Sequence, residues 1–542
     1  MSTGDTPSTT EQDAAALREE LLRRRLAGKR GGRRSLIARA DRDQPLPLSF
    51  GQQQMWFLNR MAPDSPEYIV PLAVRLRGAL DLPALRAAWQ QIVERHEILR
   101  TRYVLSGDEP VQVIDAPRPP DLPLVDLLDV PDAEREQHAR ELAERDAAIP
   151  FDLEREWPVR ARLYGLGEAE HLLVVAFHHI ACDAWSTGVF AHELSSFYTA
   201  YTTGGTPAVE PLPVQYADYA AWQRGELTGA GLERQLSYWR EQLSGLQVLE
   251  LPADRQRPAL RDSSGDSVPF TIPAALAERV SAVAADHDAT RFTVLLTAFQ
   301  VMLSRYTGTT DIPVGVTVSG RGRPELQPLI GYGINVLVAR AVWGGDPTFS
   351  ELLGAGRGTV LDAFDHQSVP FALLVDELQP ERDLSRNPLY QVDFILREQQ
   401  APDFAMAGLE VTPEAGDRIA KVDLTLDVAD APSGALQARL RFATALFDRT
   451  TIERMAGHFL HLLEGLCSTP GARISAADML TDSEREPLLG EWGGVVEVPV
   501  ERCVHEAFAE RAALTPGSVA VVCGDVSLTY AEVNERANRL AH

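Results

Sequence analysis

The stretch that most narrows what this chain can fold into runs from Leu172 to Phe177 and straight on through His178-His179-Ile180-Ala181-Cys182-Asp183-Ala184. Its first part is a short continuous apolar run rich in branched side chains, which fits a strand in a covered sheet position. From Trp185 the spacing turns helical, with Phe190, Leu194, Phe197 and Tyr198 on one stripe. Strand, short loop and helix thus set two histidines and an aspartate at one strand end, where α/β folds build sites. Successive strand side chains point to opposite faces, so only one of the two imidazoles can face a given cleft. That arrangement suits a single base or hydrogen-bond partner better than a metal.

Bulk properties exclude several classes. A length of 542 residues is enough for three or four domains, or for two large ones with extensions. The apolar fraction of 45% and charged fraction of 24% are those of a globular protein, and no apolar stretch approaches the roughly 20 residues of a membrane span. The polar N-terminus is no secretory signal, and cytoplasmic residence is the expectation. A net charge of −25 without a compensating basic face argues against nucleic acid, and nothing points to a membrane partner. Cys182, Cys467, Cys503 and Cys523 lie far apart with no CxxC, so neither a disulfide framework nor a metal site is expected.

Five segments are expected along the chain: 1–44, 45–215, 216–480, a linker at 481–500, and 501–542. In the first, Leu17, Leu21, Leu22 and Leu26 share a helical face beside Arg23, Arg24 and Arg25. It reads either as a solvated helix packed on the next domain or as a docking helix for an acidic segment of another protein. The charged segment Asp132 to Asp146 reads as a solvated helix face and nothing more.

Further motifs follow in order. They are Ser49-Phe50-Gly51-Gln52-Gln53-Gln54-Met55-Trp56-Phe57-Leu58, Arg95-His96-Glu97-Ile98-Leu99-Arg100, the paired-histidine loop, and Tyr216-Ala217-Asp218-Tyr219-Ala220-Ala221-Trp222. After these come Ile330-Gly331-Tyr332-Gly333-Ile334-Asn335 with Arg340, His366 to Phe371, and Arg382 to Leu389. Together they resemble, in sequence order, the motifs of condensation domains of nonribosomal peptide synthetases across about residues 46–480. The histidine loop matches that family's HHxxxDG except that Ala184 stands where glycine is usual. Val504 to His542 resembles the start of an adenylation domain. It contains no GxxxxGK[ST] phosphate loop, so the chain reads as a piece of a longer synthetase and no ATP chemistry is assigned to it.

The resemblance implies an α/β (α+β) fold of two chloramphenicol acetyltransferase-like lobes forming a V-shaped pseudo-dimer around a central tunnel. Residues 45–215 would form the N-lobe and 216–480 the C-lobe. It implies no cofactor bound by the chain. Phosphopantetheine would arrive on two carrier-protein partners, one holding a donor acyl thioester and the other an acceptor aminoacyl thioester. With no carrier before Met1, the donor carrier is expected in trans through residues 1–44, with the acceptor carrier of the same module and the remaining adenylation domain as further partners.

His179 is the expected catalytic residue, as base or as aligner of the amine. His178 is expected to be structural. The resemblance pairs Asp183 with Arg95 to fix the loop carrying His179. Ala184, Trp185, Ser319 and Asn335 are candidates for the tunnel wall, and for Ser319 and Asn335 ordinary strand-end hydrogen bonding is the alternative. Trp56, Tyr216 and Trp222 read as core or lobe-contact aromatics rather than substrate platforms. Cys182 is assigned no nucleophilic role. Ala184 either trims the tunnel with its methyl group, leaving catalysis intact, or marks drift toward a recruiting role, and retention of His179 and Asp183 favours the first. The subgroup resembled most joins an L-configured donor end to an L acceptor, or is a starter type taking an acyl or aryl donor. An epimerising or cyclising relative and a non-catalytic recruiting module are the remaining alternatives.

Overall fold

The computed structural model describes residues 36–380, 383–397, 404–414, 419–490, 503–524 and 526–541. Residues up to Met479 form one compact unit and those from Leu480 a second.

The first unit is built on two mixed sheets. The first contains β1 (Ile69–Gly78), β2 (Leu124–Asp126), β3 (Val159–Gly167) and β4 (Glu170–His178), with the late segment Leu409–Pro413 added beside β1. Its order is Leu409–Pro413, β1, β4, β3, β2, and only the β2–β3 pair is parallel. The apolar run of β4 is covered on both faces. Leu173 and Val175 enter the large core with helices α1 (Phe50–Met61), α2 (Leu82–Arg95) and, behind the histidine loop, the helix beginning at Ala184. Leu172 and Val174 enter a smaller core on the other side. That smaller core is closed by α3 (Asp132–Ala147), whose Ala139 and Ala143 sit against Tyr164 and Leu166. The segment expected to be only a solvated face is therefore a packing helix. Its apolar stripe is two buried alanines one turn apart, joined by the partly buried Leu142 and Ala147, a weak signal among so many charges.

Helix α4 (Ala184–Thr203) lies against α2, with Trp89 and Phe190 meeting edge to face at 5.9 Å. Helix α5 (Tyr216–Glu226) sends Tyr216 and Ala220 into the same core, which also takes Ile330, Phe404 and Met406. The lobe boundary expected at 215/216 thus falls too early, because the Pro-rich connector at 204–213 runs within the first lobe. Chain from the second half also returns to complete it.

The second sheet holds β5 (Gly265–Ile272), β6 (Asp311–Val318), β7 (Asn335–Val342), β8 (Val392–Arg397), β9 (Leu424–Asp430) and β10 (Leu436–Ala443). Its order is β7, β6, β8, β9, β10, β5, and β8 is parallel to both neighbours. One face packs on helices α6 (Arg291–Thr307), α7 (Phe349–Asp365) and α8 (Arg449–Ser468), where Phe299 lies 6.2 Å from Phe459 and 6.4 Å from Phe394. The opposite face turns to a cavity of about 4110 Å³ that is lined from both lobes.

The leucine-rich helix and most of segment 1–44 lie outside the described residues. Ile37 is buried with Val214, Leu326 and Leu329, and Arg42 bridges Glu97 and Asp218. The end of that segment is therefore pinned to the domain body. Part of the expected linker is helical, over Asp482–Gly490, and 491–500 lies outside the described residues. Beyond it, Val504–Leu514, a hairpin of Val519–Cys523 with Val526–Thr529, and Tyr530–Ala541 form a small αββα arrangement. No helix among the described residues is long and apolar enough to cross a membrane.

Candidate active site

Strand β4 ends at His178, and the next five residues turn into α4 with Asp183 as its N-cap. The turn is held from outside: the His179 N–H donates to the Tyr68 carbonyl at 2.7 Å, at the entry to β1. Within it, the Ala181 N–H donates to the His178 carbonyl at 2.9 Å. The two histidines separate as strand alternation requires. His178 is buried, accepts the Ile180 N–H on Nδ1 at 3.1 Å and meets Phe151 edge-on at 6.0 Å. His179 lines the cavity, its ring 5.2 Å from that of Tyr332 in a T-shaped contact.

The His179 Nδ1 is buried and has no well-aligned hydrogen bond among the described residues, although the backbone of Cys182 and of His179 itself lies close enough to act on the ring. Burial, with the nearby Lys421 charge, lowers its pKa to about 3, although Asp183 works the other way. Burial alone lowers His178 to about 3. Both rings are neutral at any physiological pH.

Asp183 is fully buried and accepts four hydrogen bonds. Oδ1 takes the Ser186 N–H at 2.9 Å and the Ser186 hydroxyl at 2.7 Å, and Oδ2 takes Arg321 Nη1 at 2.7 Å and the Gly333 N–H at 2.8 Å. Burial opposes its charge, but Arg321 and Ser186 more than compensate and hold the carboxyl below its ordinary range. Arg321, just past β6, also donates to the Gly331 carbonyl at 2.9 Å. A β-carbon at Gly333 would stand 2.5 Å from Arg321 Nη1, so glycine is what lets backbone come this close.

The expected Asp183–Arg95 pair is not formed. Arg95 ends α2 and binds Glu193 of α4 at 2.9 Å, and Glu193 also meets His96 Nε2 at 2.8 Å. The reason is positional. Arg95 lies on the seam between α2 and α4, whereas Asp183 faces the second lobe. Sequence reasoning missed Arg321, although it stands two residues from Ser319 in the glycine-flanked strand end Ser319-Gly320-Arg321-Gly322.

The other candidates are distributed unevenly. Ala184 and Trp185 line the cavity at the head of α4, and Trp185 Nε1 donates to the Gln327 carbonyl at 2.8 Å. Ala184 is not among the positive-φ residues, so alanine there is unstrained. Ser319 lines the cavity and accepts the Arg321 N–H at 3.4 Å. Asn335 reaches the wall, but its amide is spent on backbone: Nδ2 donates to the Gln367 and Val369 carbonyls at 2.9 and 2.7 Å, and Oδ1 accepts the Phe371 N–H at 2.9 Å. The Tyr216 hydroxyl bridges Ser49 Oγ at 2.9 Å and the Tyr332 carbonyl at 2.6 Å. Motifs far apart in sequence thus converge on one wall. Cys182 is buried and its thiol pushed well up by burial, which leaves it unsuited to nucleophilic attack.

The chain matches the Condensation domain family over residues 42–489. It belongs to that family, the condensation domains of nonribosomal peptide synthetases. Two linear gramicidin synthase proteins of Brevibacillus parabrevis are 42% and 43% identical to it, each over 506 residues and 92% of this chain. The matches cover 6% and 10% of those two proteins, so the chain spans a small fraction of these curated relatives. Among solved structures, the X-domain from teicoplanin biosynthesis superimposes with a TM-score of 0.75 at 31% identity, covering 82% of this chain and all of that one. The two-lobed chloramphenicol acetyltransferase-like fold is shared with these relatives. The family's general activity is amide-forming acyl transfer between substrates carried on phosphopantetheine.

Proposed function

We propose that this chain joins a donor acyl or peptidyl thioester to an acceptor aminoacyl thioester, each delivered on the phosphopantetheine arm of a carrier protein. The acceptor nitrogen attacks the donor carbonyl, the carbon–sulfur bond breaks, and the amine gives up a proton as the donor arm leaves as a thiol. The observation that carries this reading is the His179 imidazole, kept neutral by burial, on the wall of a cavity lined by both lobes. An α-amine titrates near 8, so its reactive neutral form is accessible around neutrality. An imidazole that burial keeps so resistant to protonation serves best by accepting a hydrogen bond that orients the amine lone pair, with the proton passing on to the departing sulfur. Positioning two tethered reactants adds to this.

Asp183 and Arg321 act as positioning residues. The donor carrier is proposed to arrive through residues 1–44 and the acceptor carrier from the same module. Residues 501–542 would begin an adenylation domain, whose remainder would cover the exposed Val504, Val522 and Leu540.

Loading two carriers with candidate thioesters and following acyl transfer by mass spectrometry tests the reading. Amide is expected on the acceptor arm with the wild-type protein, and its absence across a broad donor and acceptor panel overturns the assignment. The likeness to the X-domain, which was solved in complex with OxyB, favours one second reading, a recruiting module. In that case binding of a partner enzyme would persist with no acyl transfer at all.

A further inference from the structure

One row of side chains on the cavity face of the second sheet has no part in the chemistry above. The register sets Gly315 on β6, Asp393 on β8, Thr425 on β9 and Arg441 on β10 side by side. Their neighbours Val316, Phe394, Leu426 and Leu440 are buried in the core, so this row faces the other way, and Asp393, Thr425 and Arg441 line the cavity.

Asp393 is the unusual member. Its Oδ1 is buried and has no hydrogen-bond partner among the described residues. The carboxyl lies over Gly315, where a β-carbon would stand 2.2 Å from Oδ1 and 2.5 Å from the Tyr390 ring, so glycine is what makes room for it. Burial pushes the acid up to about 7 even though Lys421 and Arg441 pull the other way. His179, Lys421 and Asp393 line the same cavity, so Asp393 belongs to the reactive compartment. A buried acceptor left without a donor is destabilising, and a ligand that supplies the donor removes that cost.

We propose that Asp393, flanked by Thr425, is a specificity subsite that takes a substrate side chain ending in a neutral hydrogen-bond donor, a hydroxyl or an amide N–H. The two neighbouring cations disfavour an ammonium there. The subsite rests on the amide-forming reading and deepens it by assigning a substrate class to the same cavity.

Unreactive pantetheine amides test it by calorimetry on the wild-type protein. Threonyl and valyl amides, matched in shape, serve as acceptor mimics, and their N-acetyl forms serve as donor mimics. The threonyl ligand should bind at least about tenfold more tightly in one arm, and that arm identifies which substrate the subsite reads. Asp393→Leu should bring the ratio to about one without weakening the valyl ligand, and Asp393→Asn, which keeps an acceptor oxygen, should retain most of the preference. Equal binding in both arms, no binding of either ligand, or a preference that survives Asp393→Leu overturns the proposal. Binding does not require turnover, so a flat ratio in a protein that still forms amide sinks the subsite alone. A clear ratio in a protein that forms no amide sinks the function.

Discussion

Two ion pairs flank the histidine loop, one partly and one wholly buried, and they do different work. Arg95 and Glu193 join α2 to α4 within the first lobe, with His96 on the second carboxylate oxygen. Asp183 and Arg321 join the loop itself to the second lobe, across 138 residues of sequence and with both side chains almost wholly buried. The first pair fastens a helix seam that a large apolar core already holds. The second makes the position of His179 depend on how the two lobes meet. The reactive loop is therefore clamped by the lobe it does not belong to.

Breaking the second pair should have the largest effect. Arg321→Ala leaves Asp183 buried without its cation, which typically costs about 3–5 kcal/mol. Urea unfolding should show that loss, and single-turnover amide formation should fall by about a hundredfold or more. A change below about 1 kcal/mol would erase the distinction drawn here. Arg95→Ala should cost less, about 1–3 kcal/mol, because Glu193 keeps His96 as a partner. Its effect on amide formation should stay within a few-fold.

Titration sharpens the same contrast. The folded pKa of His179 lies near 3, below the ordinary 6.5, so the unfolded chain binds the proton first. Its contribution to stability is complete above pH 6.5 and is lost as pH falls from there toward 3, by roughly 1.4 kcal/mol per unit. His178 behaves alike. Wild-type stability should therefore drop between pH 7.5 and 5.5, and His179→Ala should drop by roughly 1–2 kcal/mol less over the same interval. The rate of amide formation should show no step at 6.5, only the rise that accompanies deprotonation of the acceptor amine.

The smallest effect concerns Ala184. Its backbone is unstrained and its methyl group only borders the cavity, so Ala184→Gly should leave turnover within about tenfold. A larger change would mean that the methyl group touches the reacting groups.

What could be read in advance follows from what is local. The apolar run of β4, the switch to helical spacing and the alternation of His178 and His179 are properties of a dozen consecutive residues, and they place the imidazole without further help. Partners are different. Asp183 has an arginine neighbour because β6 ends where it does in space, and nothing near Asp183 in sequence marks Arg321. Glu193 lies buried among the apolar residues of α4, where periodicity alone expects no acid. The unmatched Oδ1 of Asp393 was equally invisible, since its place on the cavity face depends on sheet register.

The most direct test of the lobe-spanning clamp is a double-mutant cycle on single-turnover amide formation, with Arg321→Lys and His179→Ala made singly and together, and folding checked by circular dichroism. If Arg321 acts through His179, the double variant will be no slower than His179→Ala alone. If the two losses multiply, the clamp does not position the imidazole and the account fails.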